Sequence, residues 1–100
     1  YNALLSCYKN VSARYDVRRG DQKDIIDGVL TLLREMRKSD SHRPDAITYI
    51  TVVKTLVNLP IQDERLDVET RRVLSLCQED NQISEQLMRL LKRAAPRLLQ

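Results

Sequence analysis

The chain has 100 residues, enough for one small domain or for part of a longer array. Hydrophobic residues make up 42% of it but aromatic residues only 4%, all of them Tyr, so the core must be aliphatic. Two Gly and three Pro are too few for an all-β chain with many tight turns, and a net charge of +3 permits an anionic partner without requiring one.

Apolar residues at helical spacing predict five helices. These cover about residues 1–10, 24–38, 46–58, 63–78 and 82–94. Residues 11–23 lack clean periodicity and are punctuated by Gly20, which predicts a loop or a frayed helix extension. Asp45 is the expected N-cap of the third helix, and Pro60 and Pro96 are expected to end or kink the helices beside them.

Two helical segments recur in the same order along the chain. Residues 1–8 (YNALLSCY) are echoed by residues 49–56 (YITVVKTL), and residues 29–33 (VLTLL) by residues 73–77 (VLSLC). Such recurrence is typical of stacked helical hairpins, which usually act as binding surfaces. The sequence therefore predicts an all-α fold, a helical-hairpin repeat or α-solenoid of about five helices.

The expected organisation has three parts. Residues 1–45 form a first hairpin repeat with a loop insertion near 11–23, residues 46–80 a second, degenerate repeat, and residues 81–100 a C-terminal helix that caps the array or begins a further repeat. Because Tyr1 opens directly inside a helical pattern, we expect the chain to be an excerpt, with any targeting segment upstream.

Residues 43–49 (RPDAITY), followed by an apolar helix, resemble the junction between pentatricopeptide repeats. That family has Pro-Asp, two variable residues and Thr-Tyr at the start of a repeat, and a Met near the end of the preceding helix, where Met36 stands here. The resemblance covers residues 1–58 and extends over 59–80 only in helix order. Tyr1 and Tyr49 are 48 positions apart, however, against a usual period of roughly 34–35.

The resemblance implies a module that binds single-stranded RNA, in an RNA-processing or RNA-stability protein of the mitochondrion or chloroplast. Repeats of this kind read one base each through two or three side chains. The residue after the motif Tyr and the last residue of the repeat face the base in the family. In the first repeat these positions are Asn2 and Asp45, a pairing that the family associates with uridine.

Four further positions take implied roles from the same resemblance. Ile47 matches the apolar position that packs against a base plane, and Ile50 occupies the reading position of the second repeat, where it cannot hydrogen-bond. Lys9 and Lys54 lie on the first helices of their repeats and would offer charge to phosphates.

Each of these positions also has an explanation without RNA. Asp45 can be a plain helix cap, Asn2 an exposed polar residue, and Lys9 and Lys54 ordinary surface lysines. The alternative function is a protein-interaction scaffold of the tetratricopeptide kind, which the weak net charge and the apolar Ile50 favour. Clustered Lys and Arg on the concave face would support RNA, and an uncharged apolar groove there would support a protein partner.

Catalysis, a metal, a cofactor and a small-molecule substrate are not expected. His42 is the sole histidine and has no obvious nucleophile beside it in sequence, while Cys7 and Cys77 lie in apolar runs and are expected to be buried thiols. No Cys pair has metal-ligand spacing, and no run of 18 apolar residues predicts a membrane span.

Overall fold

The computed structural model describes residues 19–59 and 61–99. All regular structure in this part of the chain is helical, which confirms the all-α prediction there. The elements are α1 (Arg19–Lys38), α2 (Ala46–Val57), α3 (Glu64–Glu79), α4 (Glu85–Ala94) and a 3₁₀ turn (Pro96–Leu99). The helix predicted over residues 1–10 lies outside the described residues.

Two helices begin at other residues than the helical spacing predicts. Residues 19–23 are helical, so α1 begins before Asp24 and the helix extension, one of the two predicted alternatives, holds for these residues. A single Gly costs a helix about 1 kcal/mol relative to Ala, and the 20 residues of α1 tolerate Gly20. At the other end of the chain, α4 begins at Glu85 and not at residue 82, because the side chain of Ser84 caps it by accepting a hydrogen bond from the Leu87 amide.

Helix α2 occupies the centre of the described structure and contacts α1, α3 and α4. Its sequence, AITYITVVKTLV, is rich in β-branched residues, which are mediocre helix formers. Burial compensates for this, since Val52, Val53 and Leu56 are fully buried. The buried Thr55 hydroxyl is satisfied within the helix by the carbonyl of Thr51, at 2.8 Å. Tertiary packing therefore makes this segment helical more than its own propensity does.

Helix α1 packs on α2 through an apolar stripe that includes Ile25, Val29 and Leu33. Near its start the buried Gln22 side chain binds the backbone of Ile61 twice. Its amide nitrogen donates to the carbonyl at 2.6 Å, and its amide oxygen accepts from the N–H at 3.2 Å. These two bonds tie α1 to the connection between α2 and α3.

Helix α3 begins at the N-cap Asp63 and ends in a left-handed residue, Asn81, with φ of 58°. The Asn81 N–H donates to the Gln78 carbonyl and the Gln82 N–H to the Cys77 carbonyl. This is the Schellman arrangement, in which Asn is one of the few residues besides Gly that tolerates the left-handed position. The C-cap residue of this helix is Asp80.

The 3₁₀ turn after α4 folds back onto α3. Arg97 forms a forked ion pair with Asp67 in the first turns of α3, the shortest contact being 2.8 Å, and also donates to Gln62. The Arg97 guanidinium holds the pKa of the Asp67 carboxyl below its usual range. Leu98, in the same turn, is buried in the core. Arg97 and Leu98 therefore attach this turn to α3 and to the core.

Candidate nucleic-acid interface

The N-cap of α2 is the first of the predicted site residues that the structure describes. Asp45 is extended, and its Oδ1 accepts from the Thr48 amide at 2.8 Å and from the Thr48 hydroxyl at 2.9 Å. The backbone bond from Thr48 is the main reason that the pKa of Asp45 is lowered, so the carboxylate is charged at neutral pH. The predicted cap is confirmed, and the Asp45 side chain is also exposed.

Three further predicted residues follow one face of α2. Ile47, Ile50 and Lys54 are spaced at i, i+3 and i+7, which places them in a row along a helix. Ile47 is 65% exposed, an unusual position for a large aliphatic side chain, and Lys54 is exposed beyond it. The face therefore offers an apolar contact near Asp45 and a positive charge about two turns away.

A groove of about 270 Å³ separates this face from α4. Its lining residues are Ile50 and Lys54 from α2 and Gln86, Arg89, Leu90 and Arg93 from α4. Three of the six are cations, and none is a carboxylate. Arg89 pairs with Glu85 one turn earlier at 2.7 Å, but both side chains are more than three-quarters exposed, so water screens that pair strongly. The groove is a positively charged surface with an amide and two aliphatic contacts.

The α4 side of this groove was not predicted from sequence. It can be found by aligning α2 and α4 at their N-caps, Asp45 and Ser84. The fifth residue after each cap is then Ile50 or Arg89, and the ninth residue after each cap is Lys54 or Arg93. A helix that starts at residue 82, as the apolar spacing predicts, does not have this correspondence.

Behind this face, Tyr49 is fully buried, as expected for a core residue. Its hydroxyl donates a hydrogen bond to Asp80 Oδ2 at the end of α3. Arg37 of α1 binds both oxygens of the same carboxylate at 3.1 Å, and Arg43 lies 3.6 Å from it. Asp80, whose side chain is only 9% exposed, thus joins three helices and the loop between α1 and α2.

The charge state of this cluster follows from its contacts. The hydrogen bonds from Arg37 hold the pKa of Asp80 below its usual range, and the Tyr49 hydroxyl lowers it further. Burial, and then the Asp80 carboxylate, raise the pKa of Tyr49 well above its ordinary value, so the phenol stays protonated. Residues near Asp80 in sequence do not indicate this cluster, because Arg37 and Tyr49 lie 43 and 31 residues away from it.

The remaining predicted residues add no second site. Asn2, Lys9 and Cys7 lie outside the described residues. Burial raises the pKa of the Cys77 thiol to about 11, which keeps it protonated and unreactive at neutral pH. Within residues 19–59 and 61–99 no group of three or more His, Cys, Asp or Glu is arranged to hold a metal ion. None of the described helices is long and apolar enough to cross a membrane.

Comparison with known proteins gave no match for this chain among protein-family models, curated proteins or solved structures. The resemblance to pentatricopeptide repeats therefore rests on the residues quoted for it.

Proposed function

We propose that this chain is a single-stranded RNA-binding module of pentatricopeptide type, which holds RNA along the groove between α2 and α4. The observation behind the proposal is the grouping of Lys54, Arg89 and Arg93 beside the predicted base-reading face of α2, with no carboxylate in the groove lining. The organellar setting in RNA processing or stability, which the resemblance implies, belongs to the same proposal.

The helix contacts support a repeat organisation for this module. α2 contacts α3, with which it would form the second hairpin, and also α1 before it and α4 after it. In stacked hairpins each repeat buries its apolar face on its neighbours in this way. We infer that α4 is the first helix of a further repeat, because its N-cap register matches that of α2.

In this proposal the residues of α2 and α4 that face the RNA have distinct roles in binding. Lys54, Arg89 and Arg93 attract phosphates, Ile47 packs its exposed aliphatic surface against a base, and the ionised, exposed Asp45 accepts a hydrogen bond from a base edge while it caps α2. Ile50 has no polar atom to read a base and forms part of the groove wall. Of the two functions raised by the sequence, this distribution of charge favours RNA over an uncharged protein groove.

The test is a charge reversal in the groove. Lys54→Glu combined with Arg93→Glu is expected to weaken binding of a labelled U-rich single strand roughly tenfold and to reduce the salt slope by roughly 1.4, since about 0.7 is lost per phosphate contact. Fluorescence anisotropy at roughly 50 and 200 mM salt measures both quantities. A-, C- and G-rich strands measured alongside report the base preference, with Asn2→Ala expected to weaken the preference for U.

A matched control has the same change of charge elsewhere. Arg65 and Lys92 are exposed and do not line this groove, so Arg65→Glu with Lys92→Glu should retain most of the affinity. Equal losses in the two double variants would show a response to net charge alone and would contradict the proposed groove. So would the absence of RNA binding by the folded parent chain.

A further inference from the structure

A second and larger groove, of about 540 Å³, lies between α1 and α3. Both helices pack against α2, and the space between them is bounded by apolar side chains. Leu33 and Val73 are buried below it, while Leu30 and Leu76 are only half-buried and offer aliphatic surface to the groove. The volume falls within the range of roughly 300–1,000 Å³ typical of ligand sites and has room for several aliphatic side chains.

The rim of this groove is strongly basic. Five of its lining residues are cations and one is a carboxylate, Glu69. The cations are Arg34, Arg37, Lys38, Arg43 and Arg72. Arg37 forms an ion pair with Asp80, and Arg72 forms an exposed ion pair with Glu69 at 3.3 Å. Arg34 and Lys38 are exposed and make no ion pair with any described residue, so their charge is available to a partner.

We propose that the groove between α1 and α3 binds an acidic amphipathic peptide segment of a protein partner. Aliphatic side chains of the segment fill the space over Leu30 and Leu76, and its carboxylates face Arg34 and Lys38. An amphipathic helix presents this combination when its apolar residues recur at i, i+3 or i+4 and i+7. The negative charge of the segment complements the positive charge of the rim. Because exposed ion pairs contribute little to affinity, the apolar floor supplies most of the favourable contact.

The lining fits a peptide better than a nucleic acid strand. A carboxylate repels a phosphate backbone and, unlike the groove proposed for RNA, this groove has one in its lining. Its floor is made of Leu and Val, and Glu69 stands on its rim. The groove proposed for RNA is formed by α2 and α4, so the chain has separate surfaces for the two partners.

The experiment uses a fluorescein-labelled peptide of about four helical turns, with Leu at i, i+4 and i+7 and Glu at most other positions. We expect the parent chain to bind it with Kd on the order of 10 μM. Arg34→Glu with Lys38→Glu should raise Kd at least roughly tenfold, because like charges then face each other. Neither substitution removes an ion pair seen in the described structure, and circular dichroism checks that the variant is folded.

Two controls separate this proposal from simple charge attraction and from the RNA groove. A peptide with Ser in place of every Leu keeps its charge and should bind at least roughly tenfold more weakly, since it lacks the apolar contacts. Lys54→Glu with Arg93→Glu should leave the affinity for the Leu peptide within roughly twofold, as these residues line the other groove.

Amide NMR shifts on peptide addition locate the site without any substitution. Shifts concentrated in α1 and α3 support the proposal. Shifts concentrated in α2 and α4, or equal binding of the Ser peptide, overturn it. So does displacement of the peptide from α1 and α3 by a U-rich RNA strand, which would assign this groove to nucleic acid.

Discussion

Tyr49→Ala is expected to lower the free energy of unfolding by about 4 kcal/mol, in the range measured when a buried aromatic ring is removed from a core. Tyr49 is fully buried in α2, the helix that contacts all three others, so the cavity has little room to collapse. The Ala variant also loses the hydroxyl that binds Asp80. Because small domains are stable by about 5–15 kcal/mol, this change removes a large part of the total.

Chemical denaturation followed by circular dichroism measures this loss of stability. Tyr49→Phe separates the contribution of the hydroxyl from that of the ring. The Phe variant keeps the ring and should cost about 1 kcal/mol, the net contribution of one hydrogen bond. Ile47→Ala is the matched control on the same helix, because a residue 65% exposed should change stability by less than about 0.5 kcal/mol. Equal losses for Tyr49→Ala and Ile47→Ala would contradict the central position of Tyr49.

Asp80→Asn is expected to lower the free energy of unfolding by about 2 kcal/mol at neutral pH, because the partly buried Arg37 loses its charged acceptor. The folded state lowers the pKa of Asp80, chiefly through the hydrogen bonds from Arg37. Its contribution is therefore complete above the ordinary pKa of Asp, about 3.9, and is lost as the pH falls through the lower pKa of the folded state. The pKa values of Asp45 and Asp67 are also lowered in the folded state, so their contributions to stability are likewise lost as the pH falls.

Urea denaturation of both proteins between pH 7 and about 2 tests this prediction. The difference in stability between the parent chain and Asp80→Asn should be constant from neutral pH to about pH 5 and should shrink below about pH 4. Glu64→Gln is the matched control, since this exposed side chain at the start of α3 makes no ion pair with a described residue. If the difference in stability between the two proteins stayed constant down to about pH 2, the contribution of Asp80 to stability would not depend on its negative charge.

Local chemistry explains which parts of this architecture could be predicted. The apolar stripe of α1 and the cap Asp45 depend on residues within one or two turns, so the sequence shows them directly. The predicted start of α4 is too early because polar residues before Ser84 resemble a first helical turn. The choice among them depends on which side chain reaches the Leu87 amide.

The two grooves could not be predicted in the same way. Each is formed by helices that are not consecutive, α2 with α4 and α1 with α3, so residues far apart in sequence share its walls. Asn2 and Asp45 came from the resemblance to a family, and Asn2 lies outside the described residues. Arg89 and Arg93 align with Ile50 and Lys54 of α2 only when α4 is counted from its N-cap, Ser84.

The dependence of α2 on its neighbours has a thermodynamic consequence for both grooves. A helix of mediocre intrinsic propensity that is held by α1, α3 and α4 forms together with them, so neither binding surface exists in the unfolded chain. Any ligand that occupies one groove selects the folded state and thereby increases the population of the other groove. In a marginally stable chain, RNA and peptide would then bind with positive cooperativity although they never touch, and this coupling would vanish under conditions that keep the chain fully folded.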